Sequence, residues 1–207
     1  MKIFLTGSSG GIGQAIERKL KNNGVEVINP SSSELDLASN ISIDKIKVDG
    51  FIHCAGINEP KSYKVLNKNS FYRLFQINTY SFIEITKNLI FSKHSNIIAI
   101  GSLYSTLAKE NRIEYSMSKH ALHAAVKTLA IEMAKDKVLV NLISPGFVDT
   151  PLTRKNLSNS EILSLEKKIP LGFTSADQIA DMIYYLISNN KSISGQNIII
   201  DNGYSLI

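Results

Sequence analysis

Two patterns of apolar positions alternate along this chain. Short apolar runs rich in β-branched residues predict strands, and the longer segments between them carry apolar residues at helical spacing. The predicted strands are KIFLTG, VEVIN, GFIHCAG, NIIAIGS, KVLVNLIS and QNIIID. Because most of these runs are apolar at successive positions, they predict a parallel sheet covered by helices on both faces, which is an α/β fold.

The first predicted helix directly follows the first strand. Ile12, Ile16 and Leu20 share one of its faces, and Gly24 ends it. Later periodic segments predict three more helices, from Asn69 to Ser92, from Ile113 to Lys135 and from Ala176 to Ser188. Since no repeat or linker interrupts the pattern, we expect one domain over residues 1–207.

One segment, from Gly146 to Gly172, breaks the alternation of strands and helices. It contains Pro151 and Pro170, and only a short stretch from Ser160 to Lys168 has helical character. It directly follows the end of a predicted strand, and open α/β sheets bind ligands at such ends. We therefore expect this segment to form a lid.

Composition narrows the class of protein. The chain has 207 residues, of which 43% are hydrophobic and 20% charged, as in ordinary globular proteins. Its net charge of +5 comes from scattered lysines without a dense basic run, so we expect no nucleic-acid partner. No signal peptide or membrane-length apolar run is present, and the single cysteine, Cys54, cannot form an internal disulfide. We expect a cytoplasmic protein without a membrane partner.

The stretch TGSSGGIG, from Thr6 to Gly13, joins the first strand to the first helix. A loop in this position can bind phosphate through backbone amides at the helix N-terminus. Gly7 permits a tight turn, Gly11 allows close approach of a pyrophosphate, and Gly13 allows the helix to pack against the strand. The loop therefore predicts a dinucleotide site.

The TGxxxGxG spacing resembles that of the short-chain dehydrogenase/reductase family, and in particular its compact 3-oxoacyl-carrier-protein reductase-like members. Further motifs extend the resemblance over nearly the whole chain: HCAG ending at Gly56, QIN ending at Asn78, IGS ending at Ser102, YSMSK from Tyr115 to Lys119, and SPGFVDT ending at Thr150. The resemblance implies a Rossmann-like doubly wound parallel sheet. It also implies NAD(P)(H)-dependent interconversion of a carbonyl and a secondary alcohol.

By the same resemblance, the catalytic residues are Asn78, Ser102, Tyr115 and Lys119. Tyr115 and Lys119 lie four apart on a predicted helix and so project from one face. An ammonium near a phenol favours the phenolate, so we expect Lys119 to lower the pKa of Tyr115, the general acid or base. Ser102 would orient the substrate oxygen, and Asn78 would hold a water that connects Lys119 to solvent.

The resemblance also implies a set of cofactor-binding residues. They are Gly7, Ser9, Gly11, Ile12, Gly13, Ser31, Asp36, Leu37, Cys54, Ala55, Gly56, Tyr115, Lys119, Pro145, Gly146, Val148 and Thr150. Between Val27 and Asp36 the chain is too short for the helix and strand that the family usually has there, so we expect a shallow adenosine end. The second strand ends in Asn29, Pro30 and serines without an acidic residue, which gives a slight preference for NADP(H) over NAD(H).

The substrate pocket is expected to have mixed polarity. Its predicted lining is Asn58, Glu59, Leu103, Tyr104, Arg112 and Phe147, together with lid residues. Arg112, Arg154 and Lys155 favour a polar or anionic small molecule with a carbonyl or alcohol group, such as an acyl carrier or a sugar derivative. His120 and His123 lack a third ligand at matching spacing, so no metal site is predicted.

Two function classes remain open at this point. The first is the oxidoreductase, which the resemblance makes a homodimer or homotetramer. The second is a dinucleotide-binding sensor or scaffold of the same fold without catalysis, which the shortened adenosine region would fit. The presence of Ser102, Tyr115 and Lys119 together favours the enzyme, since a pure binder does not need all three.

Overall fold

A parallel sheet of six strands organises the chain, in the order β2-β1-β3-β4-β5-β6. The structure, a computed structural model, describes residues 1–207. The strands are β1 Lys2–Thr6, β2 Glu26–Ile28, β3 Ile46–His53, β4 Leu89–Ile100, β5 Leu139–Pro145 and β6 Asn197–Ile200. The strand order changes direction between β1 and β3, and a crevice forms at the carboxyl ends of such neighbours. The predicted Rossmann-like parallel sheet is confirmed.

Helices cover both faces of the sheet, as predicted. They are α1 Gly11–Asn22, α2 Lys68–Phe75, α3 Ser81–Asn88, α4 Ile113–Glu132, α5 Pro151–Asn156, α6 Asn159–Lys168 and α7 Ala176–Asn189. On one face, Ile16 of α1 and Ile183 of α7 belong to a buried cluster with sheet residues. On the other face, Phe82 of α3 and Leu122 of α4 belong to a second cluster. The two clusters hold the sheet between two layers of helices.

The connection from β2 to β3, residues 29–45, contains neither a helix nor a strand. Leu35 is its one buried residue, and most of the others are exposed. The predicted shortening is therefore confirmed. As a result β2 is the edge of the sheet, and its Glu26 pairs with Lys2 of β1 at 2.9 Å.

The prediction of one helix from Asn69 to Ser92 is wrong. A π-helical turn, Gln76–Tyr80, separates α2 from α3, and the chain then enters β4 at Leu89. The start of β4 pairs with the start of β3, with Leu89 opposite Ile46. This pairing overrides the helical spacing of the apolar residues, which continues past α3.

The segment between β5 and α7 also differs from the prediction. The short helix near Ser160 is present as α6, but α5 precedes it, so the segment holds two helices instead of one. Thr150 caps α5 by accepting a hydrogen bond from the Thr153 amide at 3.4 Å, and Pro151 occupies the first turn. Among all the helices, none combines the length and apolarity needed to cross a bilayer.

Candidate active site

A cavity of about 470 Å³ opens at the carboxyl ends of the parallel strands. One end is bounded by the glycine loop and the start of α1, and the other by α4 and α5. Predicted site residues that line it are Gly7, Gly11, Ile12, Gly13, Cys54, Gly56, Ser102, Tyr115, Lys119, Pro145, Gly146, Val148 and Thr150. The structure therefore brings the phosphate-binding motif and the Tyr–Lys pair into one space.

The glycine loop has no room for side chains at its two contact points. A Cβ on Gly7, whose φ is 74°, would lie 2.5 Å from the Ala55 amide nitrogen, and one on Gly13 would lie 2.0 Å from the Gly7 carbonyl oxygen. The first turn of α1 carries no acidic side chain, and Gly10 before it makes no side-chain cap. The amides of this helix end are thus directed at the cavity with their partial positive charge, which suits a pyrophosphate.

Asn78 lies in the π-helical turn and is fully buried. Its side chain bonds both backbone groups of Ile57: Oδ1 accepts from the amide at 2.8 Å, and Nδ2 donates to the carbonyl at 2.9 Å. Nδ2 also donates to the Ser118 hydroxyl at 3.1 Å. Asn78 therefore ties the loop after β3 to α4, the helix that carries Tyr115.

His53 supports the same loop from beneath, a role that the sequence reasoning did not anticipate. It is fully buried, and its Nδ1 lies 2.9 Å from the Thr6 hydroxyl. The Thr6 hydroxyl in turn accepts a hydrogen bond from the Ala55 amide at 3.4 Å. Burial and, to a lesser degree, the charge of Lys119 lower the pKa of His53 to about 3, so this imidazole is neutral near pH 7.

Ser102 follows β4 and caps a short 3₁₀ turn, Leu103–Ser105. Its hydroxyl oxygen accepts a hydrogen bond from the Tyr104 amide at 3.2 Å, and its own amide donates to the Ser105 hydroxyl at 3.1 Å. These two bonds fix Ser102 while its hydroxyl hydrogen stays free to be donated. Ser102 therefore both caps this turn and lines the cavity with its hydroxyl.

Tyr115 and Lys119 project from α4 into the cavity, one turn apart as predicted. Lys119 is 4% exposed, and its Nζ donates to the Ile100 carbonyl at 2.7 Å. The same Nζ lies 5.8 Å from the centroid of the Tyr115 ring. Backbone and helix together hold the ammonium beside the phenol.

The electrostatics of this pair differ from the prediction that Lys119 lowers the pKa of Tyr115. Burial raises the pKa of the Tyr115 phenol, and the Ser102 hydroxyl and the Arg112 charge only partly oppose this. Burial lowers the pKa of Lys119 to about 8. Burial disfavours the charged form of each group, and here it outweighs their neighbours. The phenol is protonated and the amine mainly cationic near pH 7.

Cys54 lies close to Lys119 at the floor of the cavity. Burial raises the pKa of its thiol to about 12, and the lysine charge opposes this only in part. A thiol with so high a pKa is protonated and unreactive, so Cys54 serves as a small hydrophobic residue.

The chain after β5 forms another part of the cavity lining and adjoins the glycine loop. A Cβ on Gly146 would lie 2.7 Å from the Asp201 Cα, and one on Gly11 would lie 2.8 Å from the Thr150 Cγ2. Val148 forms a parallel bridge with Thr174. These close contacts hold the β5–α5 connection against both the last strand and the first helix.

Several predicted residues lie outside the cavity lining. Cofactor residues in this group are Ser9, Ser31, Asp36, Leu37 and Ala55; substrate residues in this group are Glu59 and Leu103. Ser31 and Asp36 are exposed in the β2–β3 connection, and Asp36 accepts a hydrogen bond from the Ala38 amide at 2.9 Å. Glu59 pairs with Lys61 at 2.8 Å and with Arg73 at 3.0 Å.

The sequence reasoning expected residues of the Gly146–Gly172 segment to line the cavity but missed that this part of the segment is the helix α5. Its lining residues are Pro151, Leu152, Thr153, Lys155 and Asn156. Asn156 Nδ2 donates to the Asn58 carbonyl at 3.4 Å across the opening. Thr150 followed by Pro151 is a helix-start signal that could have located α5.

This chain is similar to known proteins in both sequence and structure. Residues 35–205 match a family described as Enoyl-(Acyl carrier protein) reductase. A 3-oxoacyl-[acyl-carrier-protein] reductase FabG from Buchnera aphidicola subsp. Schizaphis graminum is 30% identical, over 97% of this chain and 95% of the relative. That alignment spans 233 positions, more than the 207 residues of this chain, so the relative carries residues without a counterpart here.

Solved structures are similar over the full length. A short chain dehydrogenase family protein from Francisella tularensis is 28% identical with a TM-score of 0.86, covering 100% of this chain and 99% of that one. A 4-hydroxyisoleucine dehydrogenase complexed with NADH is 25% identical with a TM-score of 0.85, covering 100% of both chains.

Proposed function

The chain belongs to the short-chain dehydrogenase/reductase family, and on that premise we propose that Tyr115 is the acid/base group of its reaction. It is an NAD(P)-dependent oxidoreductase that acts on carbonyl or CH–OH groups. The observation that carries the proposal is the position of Tyr115, Lys119 and Ser102 at one end of a cavity whose other end is the glycine loop.

Tyr115 donates its phenolic proton to the substrate oxygen during reduction and takes it back during oxidation. Burial keeps the phenol protonated near pH 7, which prepares it to act as the acid. Ser102 donates its free hydroxyl hydrogen to the same oxygen and orients the carbonyl beside Tyr115.

Lys119 stabilises the phenolate that remains after proton transfer. Its ammonium is held by the Ile100 carbonyl at 2.7 Å and so does not need to reorganise during the reaction. We assign the resupply of the proton to the region between Lys119 and Asn78. A Cβ on Gly56 would lie 3.3 Å from Asn78 Oδ1 and 3.5 Å from Lys119 Nζ, so the two polar groups border the same space.

A nicotinamide dinucleotide is the cofactor, and when bound it supplies or accepts the hydride. The backbone of the glycine loop would hold its pyrophosphate, because the loop has space for no side chain at Gly7 and Gly13. Lys119 would bind the ribose next to the nicotinamide, and Val148 and Thr150 would contact the carboxamide and phosphate. Ser9, Ala55, Cys54 and Gly56 complete the proposed wall.

At the adenosine end, the proposed contacts come from Ser31, Asp36 and Leu37. The end of β2 has no acidic residue of its own, and the two nearby carboxylates already accept hydrogen bonds, Glu17 from Asn29 at 3.0 Å and Glu34 from Ser31 at 2.8 Å. An acid there would repel a 2′-phosphate. We therefore keep the slight preference for NADP(H).

Two substrate classes follow from the relatives and the cavity. One is a 3-oxoacyl group on an acyl carrier, after the relatives named as reductases of that class. The other is a sugar derivative, for which the polar cavity residues Asn58 and Tyr104 are suitable.

A homodimer or homotetramer of one-domain chains is the assembly that we propose. Met117 and Ile131 are exposed on α4, which leaves an apolar face for a second copy. Light scattering after size exclusion measures the number of copies.

The deciding experiment is the Tyr115→Phe variant, which removes one oxygen and keeps the ring. We expect NADPH titration by fluorescence to give an unchanged Kd, while turnover in a carbonyl screen falls by roughly a thousandfold or more. Unchanged turnover would remove Tyr115 from the mechanism. Binding without turnover in the wild type would favour the sensor. The same screen with NADH tests the cofactor preference, since a hundredfold preference for NADH would contradict the proposed preference for NADP(H).

A further inference from the structure

Arg112 is a buried cation without a partner. It is 8% exposed, lines the cavity, and forms no ion pair with any carboxylate of the chain. Its Nε is buried with no hydrogen bond, and the one hydrogen bond of the side chain is from Nη1 to the neighbouring Asn111 carbonyl at 3.5 Å, the limit for such a bond. A buried guanidinium in this state is costly unless an anion joins it.

The position of Arg112 is set by its place in the fold. It immediately precedes α4, three residues before Tyr115 and seven before Lys119, so the three side chains follow one face of the helix. Asn111 adopts a left-handed conformation with φ of 60°, and its carbonyl accepts a hydrogen bond from the Lys61 amide at 3.1 Å. Arg112 and Tyr115 both line the cavity, and their positions in the chain are three residues apart at the start of α4.

The charged neighbours of Arg112 do not neutralise it. Glu161, whose pKa is lowered mainly by hydrogen bonds from Ser158 and in part by the charge of Arg112, is exposed. Its carboxylate already accepts hydrogen bonds from the Ser158 amide at 2.8 Å and the Ser158 hydroxyl at 2.7 Å. Lys109, on the same side, adds a second positive charge, and its Nζ lies 5.6 Å from the centroid of the Phe147 ring. Glu114 is buried and does not line the cavity; its Oε1 accepts a hydrogen bond from Ser70 at 2.8 Å, and its Oε2 has no hydrogen-bond partner and forms no ion pair with Arg112.

We infer that Arg112 binds a carboxylate of the substrate, and that the substrate is a short oxo acid or the matching hydroxy acid. A guanidinium offers paired N–H donors that match the two oxygens of a carboxylate. In the proposed substrate the carboxylate and the reacting carbonyl are separated by one or two carbon atoms, so that one small molecule contacts both Arg112 and Tyr115 in the cavity that they line. The inference rests on the proposed reaction at Tyr115 and names its substrate class.

The inference separates three kinds of carbonyl compound. A thioester on an acyl carrier has no charge near the carbonyl, since its phosphate lies at the far end of a long arm. A neutral sugar has none at all. Either of these would leave the Arg112 charge buried and unpaired in the complex, which penalises its binding relative to a free acid.

The test compares each free acid with its neutral methyl ester, using 2-oxobutanoate and 3-oxobutanoate, and adds the 3-oxobutanoyl thioester of N-acetylcysteamine. In the wild type we expect kcat/KM for one free acid to exceed that of its ester and of the thioester by about 100-fold. In Arg112→Gln this preference should collapse toward one, and in Arg112→Lys it should be intermediate. Arg154→Gln is the matched control, because Arg154 pairs with Asp149 at 2.7 Å on the surface and does not line the cavity.

Three outcomes would overturn the inference: equal use of acid and ester by the wild type, higher kcat/KM for the thioester, or turnover of neither free acid. An unchanged preference in a folded Arg112→Gln protein, verified by its circular dichroism, would do the same. Failure of the Tyr115 assignment gives a different signature, since Tyr115→Phe would then remain active while the acid preference persists. Calorimetric binding of the free acid to Tyr115→Phe with NADPH, lost on adding Arg112→Gln, supports the inference without turnover.

Discussion

The two ends of the cleft differ in how much of the fold holds them in place. At the catalytic end, Asn78 and Lys119 are buried, and each bonds backbone of a neighbouring element. At the adenosine end, residues 29–45 form turns without a helix or strand, and Ser31 and Asp36 are exposed. The proposed catalytic residues are therefore held by rigid elements, and the proposed base-binding region is a surface loop.

This difference indicates where cofactor affinity originates. The pyrophosphate and nicotinamide ends face backbone that is locked by close packing, while the adenosine end offers few fixed contacts. We expect changes at the first two regions to have large effects and changes at the third to have small ones. The three predictions below test this, and each sets a locked position against a looser one.

The largest effect is expected for Gly13→Ala. The added methyl would lie 2.0 Å from the Gly7 carbonyl oxygen, so the loop must shift, and dinucleotide affinity should fall by roughly 100-fold. Gly10→Ala is the matched change, since its nearest atom would be 3.5 Å away and its φ of −77° suits any residue. Fluorescence titration with NADPH measures both, and equal affinities for the two variants would show that loop packing does not govern binding.

A second contrast lies within one turn of the chain, between Asn78 and Gln76. Asn78→Ala leaves both backbone groups of Ile57 without partners and should lower the free energy of unfolding by about 2–4 kcal/mol. Gln76 makes one exposed bond to the Ser39 carbonyl at 3.2 Å, in the adenosine-end connection, so Gln76→Ala should cost under about 0.5 kcal/mol. Urea denaturation compares them, and similar losses would contradict the difference in rigidity.

The effect expected from His53 is the smallest for each unit of pH, and it makes the stability of the fold sensitive to acid. Its pKa is about 3 in the fold against 6.5 when unperturbed, so the unfolded chain binds the proton more readily between these values. The stability present above pH 6.5 is thus lost as the pH falls toward 3, by up to about 1.4 kcal/mol per pH unit. His53→Asn should flatten the fall of Tm between pH 6.5 and 4.5.

Glu34 in the adenosine-end connection is the control for this pH series. The backbone and side chain of Ser31 lower the pKa of Glu34, but the carboxylate is fully exposed. Solvent screening makes such a group weakly coupled to folding, so Glu34→Gln should leave the pH dependence of Tm unchanged. A larger change in the pH dependence of Tm for Glu34→Gln than for His53→Asn would contradict this prediction.

The parts that the sequence predicted correctly are those where local signals and burial agree. The loop from Thr6 to Gly13 combines a strand, glycines and an amphipathic helix, and its position in the structure matches the prediction. The family resemblance identified Tyr115 and Lys119, and their helical spacing correctly predicted that both project from one face of α4. The lack of a helix in the β2–β3 connection follows from counting the residues after Val27.

The parts that were missed depend on contacts between distant segments. Leu89 continues the apolar spacing of α3, but pairing with Ile46 makes it the first residue of β4. The isolation of Arg112 depends on which carboxylates fold away from it, and the raised pKa of Tyr115 depends on burial. Neither property has a local signature, because both are set by residues remote in sequence.

The short connection after β2 also changes how the molecule meets its neighbours. An edge strand exposes unpaired amides and carbonyls, to which a strand from another chain can attach. Here that edge is only the three residues of β2, and it begins with the charged Glu26. Shortness and charge are two of the means by which natural sheets prevent such addition. The short β2–β3 connection, which leaves the proposed adenosine end open, thus also leaves a sheet edge that is poorly suited to intermolecular strand pairing and aggregation.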